Sequence, residues 1–337
     1  LTAARSHEHG VPPALELREL RVSFAAEGGR VRALDGLSLR IEAGSTLGLV
    51  GESGSGKSAC CLAILGLLPR GIGRVDGGEV LLAGRPLGGL SRAQSRALRG
   101  REIAMVFQDP HSALNPHLPI GLQLTEVLEL HLHLPRREAR RRAAHALGEV
   151  GLSEPEARLA SYPHQLSGGQ RQRVMIAMAL SCAPKVLLAD EPTTALDAAV
   201  QVQILDLLRS LQRAHGTAIL LVTHSLGVVA RIADEVLVLY AGRAAEHART
   251  RELLERPLHP YTRALLASVP SLRGDPRAPL AAIGGQPPDL AHMPPGCAFA
   301  ARCAQRDSLC ESALPTWSAV PHAPARLLAC HHPESPR

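Results

Sequence analysis

Aromatic side chains are scarce in this chain: phenylalanine, tyrosine and tryptophan together make up 2% of its 337 residues. Proteins that hold single-stranded nucleic acid stack bases on aromatic platforms, and here few residues could serve that purpose. Long apolar runs are missing as well. None approaches the roughly 20 residues a membrane-spanning helix needs, and the longest, 218–222 and 236–240, have the length of buried strands. Residues 1–14 hold His7, Glu8, His9 and two prolines without an apolar segment, so no secretory leader is expected. The seven cysteines never form the tight CxxC knuckle common in structural zinc sites.

What remains is an ordinary globular composition, 45% hydrophobic and 20% charged, long enough for one large domain and an appendage. The net charge of +6 suits nucleic acid, an anionic membrane surface or no particular partner. The densest basic run, 136–142 (RREARRR), reads as a solvated helix face. Strands are expected at 15–22, 37–41, 46–50, 79–83 and 103–107, with a helix at 58–68. A capping box at Ser91-Arg92-Ala93-Gln94 opens a short helix. From Gln108 to about Leu180 the pattern turns helical, including 125–132 and 137–150. Strands return at 186–189, 218–223 and 236–240, separated by helices at 198–214 and 226–232. Strands alternating with helices predict an α/β fold with a largely parallel sheet covered on both faces, and the helical block predicts an inserted subdomain. Beyond about Arg273 proline and cysteine accumulate, which predicts a separate, loop-rich module.

Gly51-Glu52-Ser53-Gly54-Ser55-Gly56-Lys57-Ser58 matches GxxxxGK[ST] between an expected strand and an expected helix. Gly51, Ser53, Gly54 and Gly56 let backbone N–H groups curl around phosphates. Lys57 is placed to reach the β- and γ-phosphates, and the Ser58 hydroxyl to ligate Mg²⁺. The apolar run 185–189 delivers Asp190 to the metal and Glu191, one residue on, to an attacking water. A second glycine-rich element, Leu166-Ser167-Gly168-Gly169-Gln170, opens its own helix and offers a second anion-binding N-terminus. Together the two elements predict ATP held from two sides.

In this order, across residues 15–245, these motifs resemble those of ABC-transporter nucleotide-binding subunits. Residues 166–170 match the family's signature motif. Gln108, in Val106-Phe107-Gln108-Asp109-Pro110, matches its Q-loop, Asp197, in Ala195-Leu196-Asp197, its D-loop, and His224 its switch histidine. Phe24 corresponds to the adenine-stacking aromatic, with a core role as the alternative. Ser225 stands where many members carry Asp. The resemblance implies a P-loop ABC ATPase with a mostly parallel core sheet, an antiparallel β edge, an inserted helical subdomain at about 108–180 and a small cysteine-containing C-terminal module. It implies Glu191, His224 and Gln108 as catalytic residues, with Ser58, Gln108 and Asp190 around Mg²⁺. It further implies head-to-tail pairing with a second ABC subunit, whose nucleotide would meet Ser167, Gly168, Gly169 and Gln170, with Asp197 beside it.

Ser112-Ala113-Leu114-Asn115-Pro116, Pro163-His164-Gln165, the run 171–180 and His259-Pro260-Tyr261-Thr262 are similar to the dipeptide/oligopeptide importer ATPases. The resemblance divides the chain into a nucleotide-binding domain at 15–250 and a C-terminal extension at 251–337. Its implied partners are a paralogous ATPase, two transmembrane permease subunits and an extracytoplasmic solute-binding protein, with the chain peripheral at the cytoplasmic face of the membrane. Nickel, glutathione or another small solute is the alternative cargo. A soluble ABC ATPase acting on nucleic acid is the competing class, against which the scarcity of aromatics counts.

Cys60, Cys61 and Cys182 lie in apolar helical contexts and are expected in the core. Cys297, Cys303, Cys310 and Cys330 gather in the tail, where four thiolates suit a tetrahedral zinc or a 4Fe–4S cluster. Gly296-Cys297-Ala298-Phe299 with Arg302-Cys303 resembles the cysteine-bearing tail of the peptide-importer ATPases and implies the 4Fe–4S cluster; Ala301 replaces a proline usual there. His331 and His332 beside Cys330 read as exposed tail residues, with ligation as the alternative.

Overall fold

The computed structural model describes residues 11–109, 113–194, 196–269 and 282–333. Residues 1–10, Pro110, Ser112, Ala195 and the start of the tail near Arg273 lie outside the described residues. The chain begins with a hairpin of β1 (Leu15–Ala26) and β2 (Gly29–Ile41), from which β3 (Thr46–Val50) departs into a second sheet. After helix α1 (Lys57–Leu65), β4 (Gly73–Leu82) and β5 (Arg85–Pro86) return to the first sheet, an antiparallel one of order β2-β1-β4-β5. Both hairpin strands exceed the expected spans. Residues 23–26 and 29–36 lack a regular apolar alternation, and cross-strand pairing such as Phe24 with Val31 makes them strand. Helix α1 stops earlier than expected because Gly66 turns left-handed at φ 62° and its N–H closes on Ala63 O and Leu62 O.

The second sheet collects the short apolar runs: β6 (Ile103–Val106), β7 (Val186–Asp190), β8 (Ala218–Thr223) and β9 (Glu235–Tyr240). With β3 they form a parallel core of order β9-β3-β8-β7-β6. Every residue of β3, β7 and β8 is buried, as strands covered on both faces require. An antiparallel extension follows: β10 (Arg243–Arg249) pairs with β9, and two tail strands, β11 (Ser318–Val320) and β12 (Ala323–Leu328), complete the edge. The tail is therefore less independent than its composition suggests. Its β12 hydrogen-bonds to β10, and Phe299 shares a core with Val236, Tyr240 and Leu253.

Between α2 (Arg92–Leu98) with β6 and the return at β7 lie α3 (Ile120–Leu132), α4 (Arg136–Glu149) and α5 (Gly168–Leu180). Ile120, Leu124 and Leu128 recur every four residues on α3 and are fully buried against the alanine face of α4, Ala139 and Ala143 with Leu147. Arg136, Arg137, Arg140, Arg141 and Arg142 of α4 are all exposed, the solvated face the sequence pattern implied. Helices α6 (Ala198–His215), α7 (Leu226–Ile232), α8 (Thr250–Glu255), α9 (Pro260–Ala267) and α10 (Ser308–Ser312) follow. Among the described residues no helix is long and apolar enough to cross a membrane.

Candidate active site

Sheet register does the first work of assembly. Val50 at the end of β3 lies opposite Thr223 of β8, Val222 of β8 opposite Asp190 of β7, and Ala189 of β7 opposite Val106 of β6. Four parallel strands thus end almost level, and each releases a motif at its carboxyl end: residues 51–58, His224, Asp190-Glu191 and Gln108. Ligands of parallel sheets bind outside these ends.

The glycine-rich loop has little room for anything but glycine at two points. A Cβ on Gly51 would stand 2.2 Å from Leu239 O, and one on Gly56, which adopts φ 106°, 2.3 Å from Ala33 O. Ser53 and Gly54 face solvent, whereas Lys57 is 5% exposed. Its Nζ donates to Gly51 O at 2.8 Å and Glu52 O at 2.9 Å. Burial lowers the Lys57 ammonium's pKa, opposed by the charges of Glu191, Asp190 and Glu52. A cation held by two carbonyls and the Ser55 hydroxyl of its own loop can exchange them for phosphate oxygens.

Asp190 is buried, and burial raises its pKa against a hydrogen bond from Ser58. Its Oδ1 has no hydrogen-bond partner. An orphaned buried carboxylate oxygen beside a serine hydroxyl is a hard oxygen donor set, and those residues fit Mg²⁺.

Glu191 adopts φ 47°, in the left-handed region unusual for a non-glycine residue. Its carboxylate collects three partners: Thr194 Oγ1 donates to Oε2 at 2.7 Å, Gln108 Nε2 to the same oxygen at 3.3 Å, and His224 Nδ1 lies 3.1 Å from Oε1. Burial works against ionisation, but the hydrogen bonds from Thr194 and His224 outweigh it and lower the pKa. A carboxylate kept ionised and aimed by three side chains can orient a water and accept its proton. Thr194 went unnoticed in the sequence; its place three residues after Glu191 was the available local signal.

The second glycine-rich element stands apart. Ser167 caps α5 in a capping box: Gln170 N donates to Ser167 Oγ at 3.3 Å, and Ser167 N donates to Gln170 Oε1 at 3.0 Å. Ser167 and Gly168 are exposed, and among the described residues no hydrogen bond joins 166–170 to 51–58. Gly169 carries a packing constraint as well, since a Cβ there would lie 2.7 Å from Val200 Cγ1 on α6. Asp197 is engaged as the N-cap of α6, accepting from Val200 N at 3.0 Å. Phe24 is half-buried, packed against the edge of the core beside Gly73, with part of its ring left accessible.

In the tail, Cys297, Cys303, Cys310 and Cys330 line one small cavity, all with free thiols. Burial raises the Cys297 thiol's pKa and pushes Cys330 up to about 11. Among the described residues the one group of three metal-ligand atoms within 4.8 Å of one another is Asp307, Cys310 and His332, which includes a single cysteine. Tetrahedral zinc with Zn–S near 2.3 Å draws sulfurs to about 3.8 Å, so the four sulfurs are spread wider than zinc holds them. His332 Nε2 lies 2.8 Å from Asp307 Oδ2 and His331 Nε2 lies 2.9 Å from Ala313 O. Cys60, Cys61 and Cys182 are buried in the core, as expected.

Comparison with known proteins agrees with this geometry. Residues 34–194 match the ABC transporter family model, and residues 245–310 match the oligopeptide/dipeptide transporter C-terminal region. The chain is 47% identical to the oligopeptide transport ATP-binding protein OppD of Salmonella typhimurium, over 95% of this chain and 93% of that protein. It is also 47% identical to the dipeptide transport ATP-binding protein DppD of Bacillus subtilis, over 89% of this chain and 90% of the relative. A solved dimer of the ATP-binding cassette MJ0796, in a post-hydrolysis state bound to ADP and Pi, superposes with a TM-score of 0.63 at 29% identity. It covers 70% of this chain and 99% of that one.

Proposed function

The chain belongs to the ABC transporter family of ATP-binding proteins, in its oligopeptide/dipeptide branch, and from that premise we propose that it hydrolyses ATP to power peptide import through separate membrane permeases. The observation that carries this reading is the level ending of β3, β8, β7 and β6, which gathers Lys57, His224, Asp190-Glu191 and Gln108 at one edge. Gly51, Ser53, Gly54, Gly56 and Lys57 bind the phosphates, and Phe24 stacks on the adenine. Ser58, Asp190 and Gln108 would hold Mg²⁺, which would neutralise phosphate charge. Glu191 accepts the proton of the attacking water, and His224 and Gln108 keep its carboxylate aimed.

The exposed signature element supports the rest of the scheme. Ser167, Gly168, Gly169 and Gln170 present a helix N-terminus that, among the described residues, makes no hydrogen bond to its own subunit's loop 51–58. It completes the site of a second ABC ATPase, a paralogue, with Asp197 alongside. ATP binds the closed pair more tightly than the open one, so binding closes the dimer and loss of the γ-phosphate reopens it. The helical subdomain, about 108–180 within the domain 15–250, passes that motion to two transmembrane permeases at the cytoplasmic face of the membrane. An extracytoplasmic solute-binding protein delivers the peptide. The extension 251–337 carries Cys297, Cys303, Cys310 and Cys330, which would hold a 4Fe–4S cluster and so stabilise a module with little core of its own.

Co-expression with the permeases and their second ATPase tests the proposal. Membrane vesicles should take up labelled peptide only with ATP inside and the binding protein outside. ATP turnover with no dependence on permease or peptide would refute the transport role.

A further inference from the structure

The tail reaches into the phosphate loop. Arg302 is 3% exposed at its side chain, yet its charge partner, Glu52, lies 250 residues away, near the start of residues 51–58. Arg302 Nη1 donates to Glu52 Oε2 at 2.6 Å and Nη2 to Oε1 at 2.9 Å, a bidentate fork. The remaining donors go to Tyr240 Oη at 3.2 Å, Ile283 O at 3.2 Å and Gly284 O at 2.9 Å. All five guanidinium N–H groups are therefore directed. The same loop residue is held a second way: Glu52 N donates to Oη of Tyr261, a fully buried side chain at the start of α9. In a chain with so few aromatics, Tyr240, Tyr261 and Phe299 meet here, with ring centroids 4.5 to 5.3 Å apart.

Glu52 also accepts Lys57 Nζ on its carbonyl. One residue of the loop thus has its amide, its carbonyl and its carboxylate all engaged, the amide and the carboxylate by the C-terminal extension. Two physical consequences follow. A loop ordered before nucleotide arrives loses less entropy on binding. A carboxylate next to a polyanion site repels it unless neutralised, and Arg302 supplies the neutralising charge.

We propose that Arg302 and Tyr261 are positioning residues for ATP binding, acting through Glu52 to hold the phosphate loop in shape and to cancel its one negative charge. The inference rests on residues 51–58 binding the nucleotide. It concerns affinity, so it shifts KM and leaves turnover at saturation nearly unchanged.

The test is titration of the full-length protein with Mg²⁺-ATP by calorimetry, alongside KM and kcat in the assembled transporter. Arg302→Met keeps the buried stem and removes the charge; it should weaken ATP binding about tenfold or more, with kcat within about twofold. Adding Glu52→Gln should recover most of the loss, because no charge is left to neutralise. Tyr261→Phe should weaken binding about threefold without Arg302 being touched, and it serves alone if Arg302→Met does not fold. Folded variants that bind ATP as wild type does overturn the proposal, and so does a loss in Arg302→Met that Glu52→Gln fails to reverse. Lys57→Ala separates the two levels. If it abolishes binding while Tyr261→Phe and Arg302→Met change nothing, the loop reading stands and this inference falls.

Discussion

Glu191 combines two unfavourable conditions, a left-handed backbone and partial burial of a charge. Strain of this kind persists where the surroundings over-determine it, and three side-chain partners from three chain segments do so here. Glu191→Gln preserves size and hydrogen bonding but cannot take a proton. Phosphate release should fall at least about a hundredfold while ATP affinity stays within a few-fold, because general-base catalysis contributes factors of that order. Unchanged turnover would remove Glu191 from the role of base. Asp190-Glu191 could be read from the sequence because an acidic pair ending an apolar run is a local pattern. The donation from Thr194 could not, since it depends on how the turn after Asp190 closes.

At the scale of elements, helix starts carry the anion sites, and their caps can be weighed. Ser167→Ala removes the side-chain acceptor at the head of α5 and should cost about 1 kcal/mol in chemical denaturation. It should weaken ATP-driven pairing as well, read by light scattering of the Glu191→Gln protein. A second element-scale link is Asp35, which ties β2 to β10 through Arg243 at 2.6 Å, with Arg32 at 3.0 Å, Arg21 at 3.9 Å and the Glu19 carboxylate close by. Burial raises the Asp35 pKa, but the bonds to Arg243 and Arg32 outweigh it and lower it overall. With the folded value depressed, its stabilisation is complete above the unfolded carboxylate value, near pH 4, and is lost as pH falls through the folded value. Asp35→Asn should therefore be less stable at pH 7 and lose less on acidification below pH 4, measured by denaturant titration at several pH values. The parallel strands and the helices of the inserted block follow apolar periodicity and were visible in advance. β10, β11, β12 and the hairpin ends of β1 and β2 were not, because backbone pairing with a neighbour makes them strands.

Over the whole molecule, the nucleotide site and the tail form one mechanical unit, joined through Tyr240, Tyr261, Phe299 and Arg302. The proposed cluster belongs to this scale, because its four cysteines come from separate turns of the tail that only folding brings to one cavity. Anaerobically purified protein should be brown and should lose that colour on Cys303→Ser. A colourless protein holding one zinc per chain would replace the cluster with zinc. The proposed two-sided capture of ATP also belongs here, since 166–170 and 51–58 share no hydrogen bond among the described residues.

Sequence alone determined the phosphate loop, the acidic pair, the signature helix start and the alternation of parallel strands with helices. Each depends on residues within a few positions of one another, whose backbone geometry and capping are settled locally. Tertiary structure alone decided that four strands end level, that tail strands join the central sheet, and that Glu52 is gripped by Arg302 and Tyr261. Those contacts span up to 250 residues, and no local pattern carries their partner's position. They exist because burying an arginine, a tyrosine hydroxyl and a strand edge requires that each find its hydrogen-bonding partner somewhere in the fold.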